Sequence, residues 1–172
     1  MLEKVKDFSK IHAFNCRDSD LNDFFLTYAG LYKADLLAET YVLYLKNNKK
    51  IGPLALVALA NDVVKLSRPQ KRRFIHHKKR YISEYPAVKV ARLGVHHNAQ
   101  GSGIGTYVIN LLKILFTTDN RTGCRFLTVD AYNNTRVLAF YKRNEFDFLH
   151  DKDAEDRTRI MFYDLKRAVA AS

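Results

Sequence analysis

Near the middle of the chain, Gln100-Gly101-Ser102-Gly103-Ile104-Gly105 has the residue types and spacing to hold an anion. Glycine tolerates positive φ and carries no side chain, so glycines at alternate positions let successive backbone N–H groups turn into one concavity. A helix opening directly after such a turn adds its first-turn amides and the positive end of its dipole. A pyrophosphate suits that arrangement. The plainer alternative is a tight strand-to-helix turn that binds nothing. Two familiar phosphate loops do not match. A Walker A loop ends in Gly-Lys-Ser/Thr, whereas Gly105 precedes Thr106 with no lysine before it, and the dinucleotide fingerprint spaces its glycines differently.

The elements that must position this turn follow from periodicity. Ala87 to Val95 reads as a strand leading into it, with Val88, Val90, Leu93 and Val95 apolar. After it, Ile104, Tyr107, Val108, Leu111, Leu112 and Leu115 recur at helical spacing. Phe126 to Asp130 is a second strand, Thr135 to Arg143 a short helix, and Phe146 to Leu149 and Arg159 to Tyr163 the closing strands. Upstream, Asp18-Ser19-Asp20 offers N-caps for an amphipathic helix over about 19–32, with Leu21, Phe24, Phe25, Tyr28 and Tyr32 along one face. Tyr41 to Leu45 and Ile51 to Ala60 form an antiparallel hairpin around the polar turn Lys46 to Lys50, with Pro53 near an edge or strand start. Asn61-Asp62 predicts another turn, and Val63-Val64 the opening of a further strand. There is no internal repeat and no Pro/Gly linker. The order is mixed α/β, read as a single domain over residues 1–172.

Lys plus Arg number 29 against 18 for Asp plus Glu, a net charge of +11. That favours a polyanionic partner and repels a polycation such as a polyamine. Much of the charge falls in residues 65–85, where Lys65, Arg68, Lys71, Arg72, Arg73, Lys78, Lys79 and Arg80 are interleaved with Phe74, His76, His77 and Tyr81, between Pro69 and Pro86. Such a mixture suits phosphate contacts with some stacking; a solvated charged loop is the blander reading. Cys16 and Cys124 make no disulfide framework and no metal spacing. They read as structural thiols in a reducing cytoplasm, and no histidine is placed to activate Cys16. No stretch approaches the roughly 18 apolar residues of a membrane span, and Met1 to Asp7 lacks a secretion signal's apolar core.

The glycine turn together with Asn134-Thr135-Arg136-Val137-Leu138-Ala139-Phe140-Tyr141, followed by Asn144-Glu145-Phe146, resembles the acetyl-CoA site of the GNAT superfamily of N-acetyltransferases over about residues 40–165. The resemblance implies the GNAT fold: a mixed, mostly antiparallel sheet splayed at its central strand, with helices on both faces. It implies acetyl-CoA as cofactor. The end of the central strand, Leu93, Gly94 and Val95, would pair with the pantetheine arm, and a backbone N–H, that of Val95, would face the acetyl oxygen. Gln100, Gly101, Ser102, Gly103, Ile104, Gly105 and Thr106 would cradle the pyrophosphate. Asn134 would meet the cofactor from the far side, although its place before Thr135 also suits a helix N-cap. Tyr141 would be the catalytic acid, protonating the departing thiolate. Two positions depart from the family pattern. Val137 stands where alanine is usual and takes up packing room. Glu145 stands where glycine is usual, which predicts a turn in a non-glycine conformation.

Phe14-Asn15-Cys16, Leu21-Asn22-Asp23-Phe24-Phe25-Leu26 and Ala38-Glu39-Thr40-Tyr41-Val42-Leu43 are similar to the opening of GNAT toxins from toxin–antitoxin pairs, and Arg92-Leu93-Gly94-Val95 to their central strand. Those enzymes acetylate the amino group of aminoacyl-tRNA, so the resemblance implies that acceptor, a small antitoxin partner and inhibition of translation. Arg72, Arg73, Lys78, Lys79, Arg80 and Arg92 are then the candidates for RNA contact. Asp130, His96, His97 and Glu84 are all placed where a general base could serve, and none has a distinctive spacing. That absence bears on the acceptor. A lysine amine must lose a proton at roughly 4–5 kcal/mol at neutral pH, whereas an α-amino group starts near pKa ~8, and esterification lowers that further. Other acceptors stay open, namely a protein amine or a small-molecule amine, as do an inactive RNA-binding scaffold and a homodimer.

Overall fold

The computed structural model describes residues 2–45, 52–75, 82–118 and 122–170. Strands Leu2–Lys4 (β1), Glu39–Tyr44 (β2), Pro53–Val64 (β3), Tyr85–Val95 (β4), Phe126–Tyr132 (β5), Asp147–Phe148 (β6) and Thr158–Asp164 (β7) hydrogen-bond in the order β1-β2-β3-β4-β5-β7-β6. The β1–β2, β2–β3, β5–β7 and β6–β7 pairs are antiparallel. β4 and β5 are parallel, with Ala87, Val88 and Lys89 opposite Phe126, Leu127 and Thr128. The helices are Ser19–Asp23 (α1), Ala29–Ala34 (α2), Arg68–Phe74 (α3), Ile104–Leu115 (α4), Thr135–Arg143 (α5) and Lys166–Ala170 (α6). A mixed, mostly antiparallel sheet with helices is the expected GNAT fold.

Two compact units divide the chain: Met1–Ala60 with Val90–Leu112, and Asn61–Lys89 with Lys113–Ser172. In the first, Phe14, Phe24, Phe25, Val42, Leu56 and Ala58 share one core. Residues 55–59 of β3 are buried without alternation, as in a strand covered on both faces. The helix expected over 19–32 is realised in three pieces. A π-helical turn, Phe24–Tyr28, separates α1 from α2. Its wider winding shifts the apolar phase, so Phe24, Phe25 and Ala29 stay buried while Tyr28 and Tyr32 are left 45% and 41% exposed. Gly94 is dictated by close approach: a Cβ there would lie 3.0 Å from Phe14 Cζ and 3.3 Å from Phe25 Cε2.

In the second unit, Val64, Leu66, Phe74, Ile75, Tyr85, Ala87, Phe126 and Phe162 pack together, with the Phe74, Phe126 and Phe162 rings meeting edge to face. The expected turn at Asn61-Asp62 is absent, because β3 runs through it to Val64. Asp62 is accommodated by partners: its carboxylate accepts the Thr128 hydroxyl at 2.6 Å and lies 3.8 Å from Lys89 Nζ. Within the basic stretch, Arg68–Phe74 is a helix rather than a charged loop. Ser67 and Gln70 form a reciprocal capping box that starts α3. Phe74, expected among the stacking residues, belongs to the core instead.

Candidate active site

β4 ends at Val95, and the following residues are tied back within their own unit. His96 N–H donates to Leu54 O and His97 N–H to Asn15 O. The Gln100 side-chain amide donates to Cys16 O at 2.8 Å and Val95 O at 3.1 Å, and the Ser102 hydroxyl to Ala99 O at 2.7 Å. These side chains therefore shape the turn and leave ligand contact to its backbone. Gly101 (φ +79°) and Gly103 (φ +84°) are left-handed; Gly105 lies inside α4 and needs no such freedom. The first bond closing α4 runs from Tyr107 N–H to Gly103 O, so the amides of Ile104, Gly105 and Thr106 have no acceptor in the helix. Among the described residues, no backbone carbonyl accepts from Gly101, Ser102 or Gly103 either. Nothing lies within 4 Å of a Cβ built at Gly101 or Gly103. A run of donors facing open space at a helix N-terminus fits a diphosphate.

In the other unit, α5 carries Asn134 and Tyr141. Asn134 is the N-cap, its Oδ1 accepting Val137 N–H at 2.9 Å. Tyr141 is 6% exposed, between the rings of Phe140 and Phe146. Burial pushes its phenol above the ordinary tyrosine range, so it holds its proton at neutral pH. The turn after α5 corrects one expectation. Glu145 has φ +68°, so the conformation usual for glycine is kept and a non-glycine residue bears it. Phe146 N–H reaches back to Tyr141 O at 3.0 Å, which requires the left-handed residue.

Of the candidate bases, Asp130 is paired with Lys89 at 3.0 Å and Glu84 with Lys65 at 3.0 Å. His96 and His97 stack with centroids 4.4 Å apart and are half-buried. Burial first, and His97 second, hold the His96 imidazole below its ordinary range. Arg92 lies over the Phe24 ring, with Asp20 at 4.0 Å. Arg72 and Arg73 are exposed on α3. Lys78, Lys79 and Arg80, with His76, His77 and Tyr81, lie outside the described residues. Lys113, which packs against the α5 turn, was not among the expected site residues; its one signal is a cation within the apolar run Leu111 to Leu115.

The model of the acetyltransferase (GNAT) family matches residues 13–146, and the chain belongs to that family. It is an acetyl-CoA-dependent N-acetyltransferase. Its fold matches solved structures along its whole length. A tyrosine-to-phenylalanine mutant of KacT superposes with TM-score 0.77 at 20% identity, covering 100% of this chain and 98% of that one. AtaT complexed with acetyl-methionyl-tRNAfMet gives 0.76 at 20% identity, covering 99% and 98%. AtaTR bound with AcCoA gives 0.75 at 20% identity, covering 99% and 96%. No curated protein matches the chain. Among the described residues, no helix is long and apolar enough to cross a membrane.

Proposed function

We propose that this acetyltransferase modifies the α-amino group of aminoacyl-tRNA and so acts as a translation-blocking toxin, restrained by a small antitoxin. The observation that carries the acceptor is α3. Arg68, Lys71, Arg72 and Arg73 sit within two turns, with no carboxylate within ion-pair distance among the described residues, on a chain of net charge +11. A cationic helix suits a phosphate backbone and repels a polyamine. Structures of matching fold support the reading, since AtaT has been captured with acetyl-methionyl-tRNAfMet and bound to the C-terminus of the antitoxin AtaR.

Acetyl-CoA supplies an activated acetyl thioester and a diphosphate by which it can be held. The amides of residues 101–106 would hold the diphosphate, with Gln100 and Ser102 keeping their backbone in register. Leu93, Gly94 and Val95 would offer an edge to the pantetheine arm, and the Val95 N–H would serve the acetyl oxygen. Tyr141 would supply the proton to the departing sulfur; burial keeps its phenol protonated. Asn134 serves first as the cap of α5. An ester-linked α-amino group is largely free base near neutral pH, so no dedicated carboxylate base is required.

Incubation with labelled acetyl-CoA and a panel of aminoacylated tRNA, deacylated tRNA, ribosomal proteins and polyamines tests the reading. The label is expected in aminoacylated tRNA alone, released by mild alkali as N-acetyl amino acid. Label confined to protein or small amines would overturn it.

A further inference from the structure

Glu145, one of the two residues that depart from the family pattern, has a partner whose burial is unusual for its type. Lys113 on α4 is 8% exposed. Its ammonium lies 3.1 Å from Glu145 Oε2 and 3.2 Å from Asn144 O, with its Nζ 4.0 Å from the centroid of the Tyr163 ring. A buried ammonium is retained only when it is paired and hydrogen-bonded, and among the described residues its hydrogen-bond partners are the two residues that close α5. Arg167 adds a second grip, donating to Glu145 O at 3.2 Å and Asp147 Oδ2 at 2.8 Å.

Glycine adopts the left-handed turn freely, whereas a side chain at φ +68° is strained. The Lys113–Glu145 ion pair holds that side chain from α4, and the Lys113 ammonium sits on the carbonyl of the α5 cap, where a cation suits the negative end of the helix dipole. The turn in turn fixes Tyr141. Asn144 N–H and Phe146 N–H both donate to Tyr141 O at 3.0 Å, and the Phe146 ring rests on the Tyr141 ring at 5.3 Å.

We propose that Lys113 is a positioning residue for Tyr141: it holds Glu145 in the conformation glycine would take unaided, and so sets the ring that donates the proton. The kinetic part rests on the proposed role of Tyr141; the structural part does not. The coupling is therefore conditional. Lys113 matters while residue 145 is glutamate and becomes dispensable when it is glycine.

The test uses the full chain with Lys113→Met, Lys113→Arg, Glu145→Gly and the Lys113→Met/Glu145→Gly double variant. Steady-state kinetics and amide exchange at Asn144 and Phe146 are read for each. Lys113→Met is expected to lower kcat about tenfold, the scale of a small displacement of a reacting group, with the KM for acetyl-CoA unchanged and exchange at Phe146 faster. Lys113→Arg is expected to recover part of kcat, and the double variant to recover both kcat and slow exchange. A double variant as impaired as Lys113→Met, or worse, overturns the proposal, as does Lys113→Met with unchanged exchange. If Lys113→Met fails to fold, the double variant still decides, because glycine must restore a folded, active enzyme. Tyr141→Phe separates the two readings: normal kcat there overturns the role of Tyr141 and the kinetic part together, while exchange still reports on the clamp.

Discussion

At the scale of single residues, environment sets the chemistry. Tyr141 has the ordinary phenol of a tyrosine, and burial moves it upward, the direction that favours an acid over a base. Tyr141→Phe is expected to lower kcat by about 10²-fold or more, in the range for a lost general acid, with acetyl-CoA affinity kept; calorimetry beside steady-state rates checks both. The kcat profile should show no alkaline fall from this group below pH ~10, its unperturbed value. His96 behaves oppositely. Its folded pKa is depressed, so below about pH 6.5 the unfolded chain binds more protons than the folded one. Its contribution to stability is complete above that pH and is lost as pH falls through the folded value. His96→Gln should therefore shrink the acid-side drop in urea midpoint between neutrality and pH 5; an unchanged drop would assign it elsewhere. Tyr141 was singled out only by the family resemblance, whereas the cap at Asn134 was legible from its place before Thr135. The left-handed Glu145 was not, because its conformation depends on Lys113, a residue 32 positions away.

Elements show why some glycines are replaceable and others are not. At Gly103 a Cβ meets nothing, so Gly103→Ala carries only the left-handed strain, about 1–2 kcal/mol. It should weaken acetyl-CoA binding more than it lowers stability. Gly94→Ala is the converse, since its Cβ would press on Phe14 and Phe25; overpacking of this kind costs about 1–3 kcal/mol and lowers the unfolding midpoint. Asn134→Ala should lose about 1 kcal/mol as a missing cap, and Asn134→Asp should restore it. Urea titrations distinguish these cases. The sequence displayed strands, α4 and α5 through periodicity, yet it placed a turn at Asn61-Asp62. A polar pair inside a strand looks like a break until Thr128 and Lys89, far along the chain, are seen to satisfy Asp62. The π turn at Phe24–Tyr28 was hidden for a related reason: one extra residue per turn leaves composition untouched and changes only the phase of burial.

For the molecule as a whole, the excess of cations is a statement about partners and ionic strength. If α3 meets RNA, Arg72→Glu with Arg73→Glu should raise the KM for charged tRNA and reduce its salt slope by roughly one to two units, with the KM for acetyl-CoA unaltered. A slope equal to wild type would remove α3 from the interface. Charge and the toxin-like opening were visible in the sequence; which cations remain available was not, since Arg92 is occupied by Phe24 and Asp20 and Lys65 by Glu84. Donor and acceptor readings alike depend on the turn at residues 101–106 holding a diphosphate. Calorimetric titration with acetyl-CoA and with S-acetylpantetheine, which lacks the diphosphate, measures that directly. Acetyl-CoA should bind at least about 100-fold more tightly, a few charge-assisted hydrogen bonds' worth, and Gly101→Val with Gly103→Val should erase most of the difference. Equal affinity for the two compounds, or a difference that survives the double substitution, would contradict it.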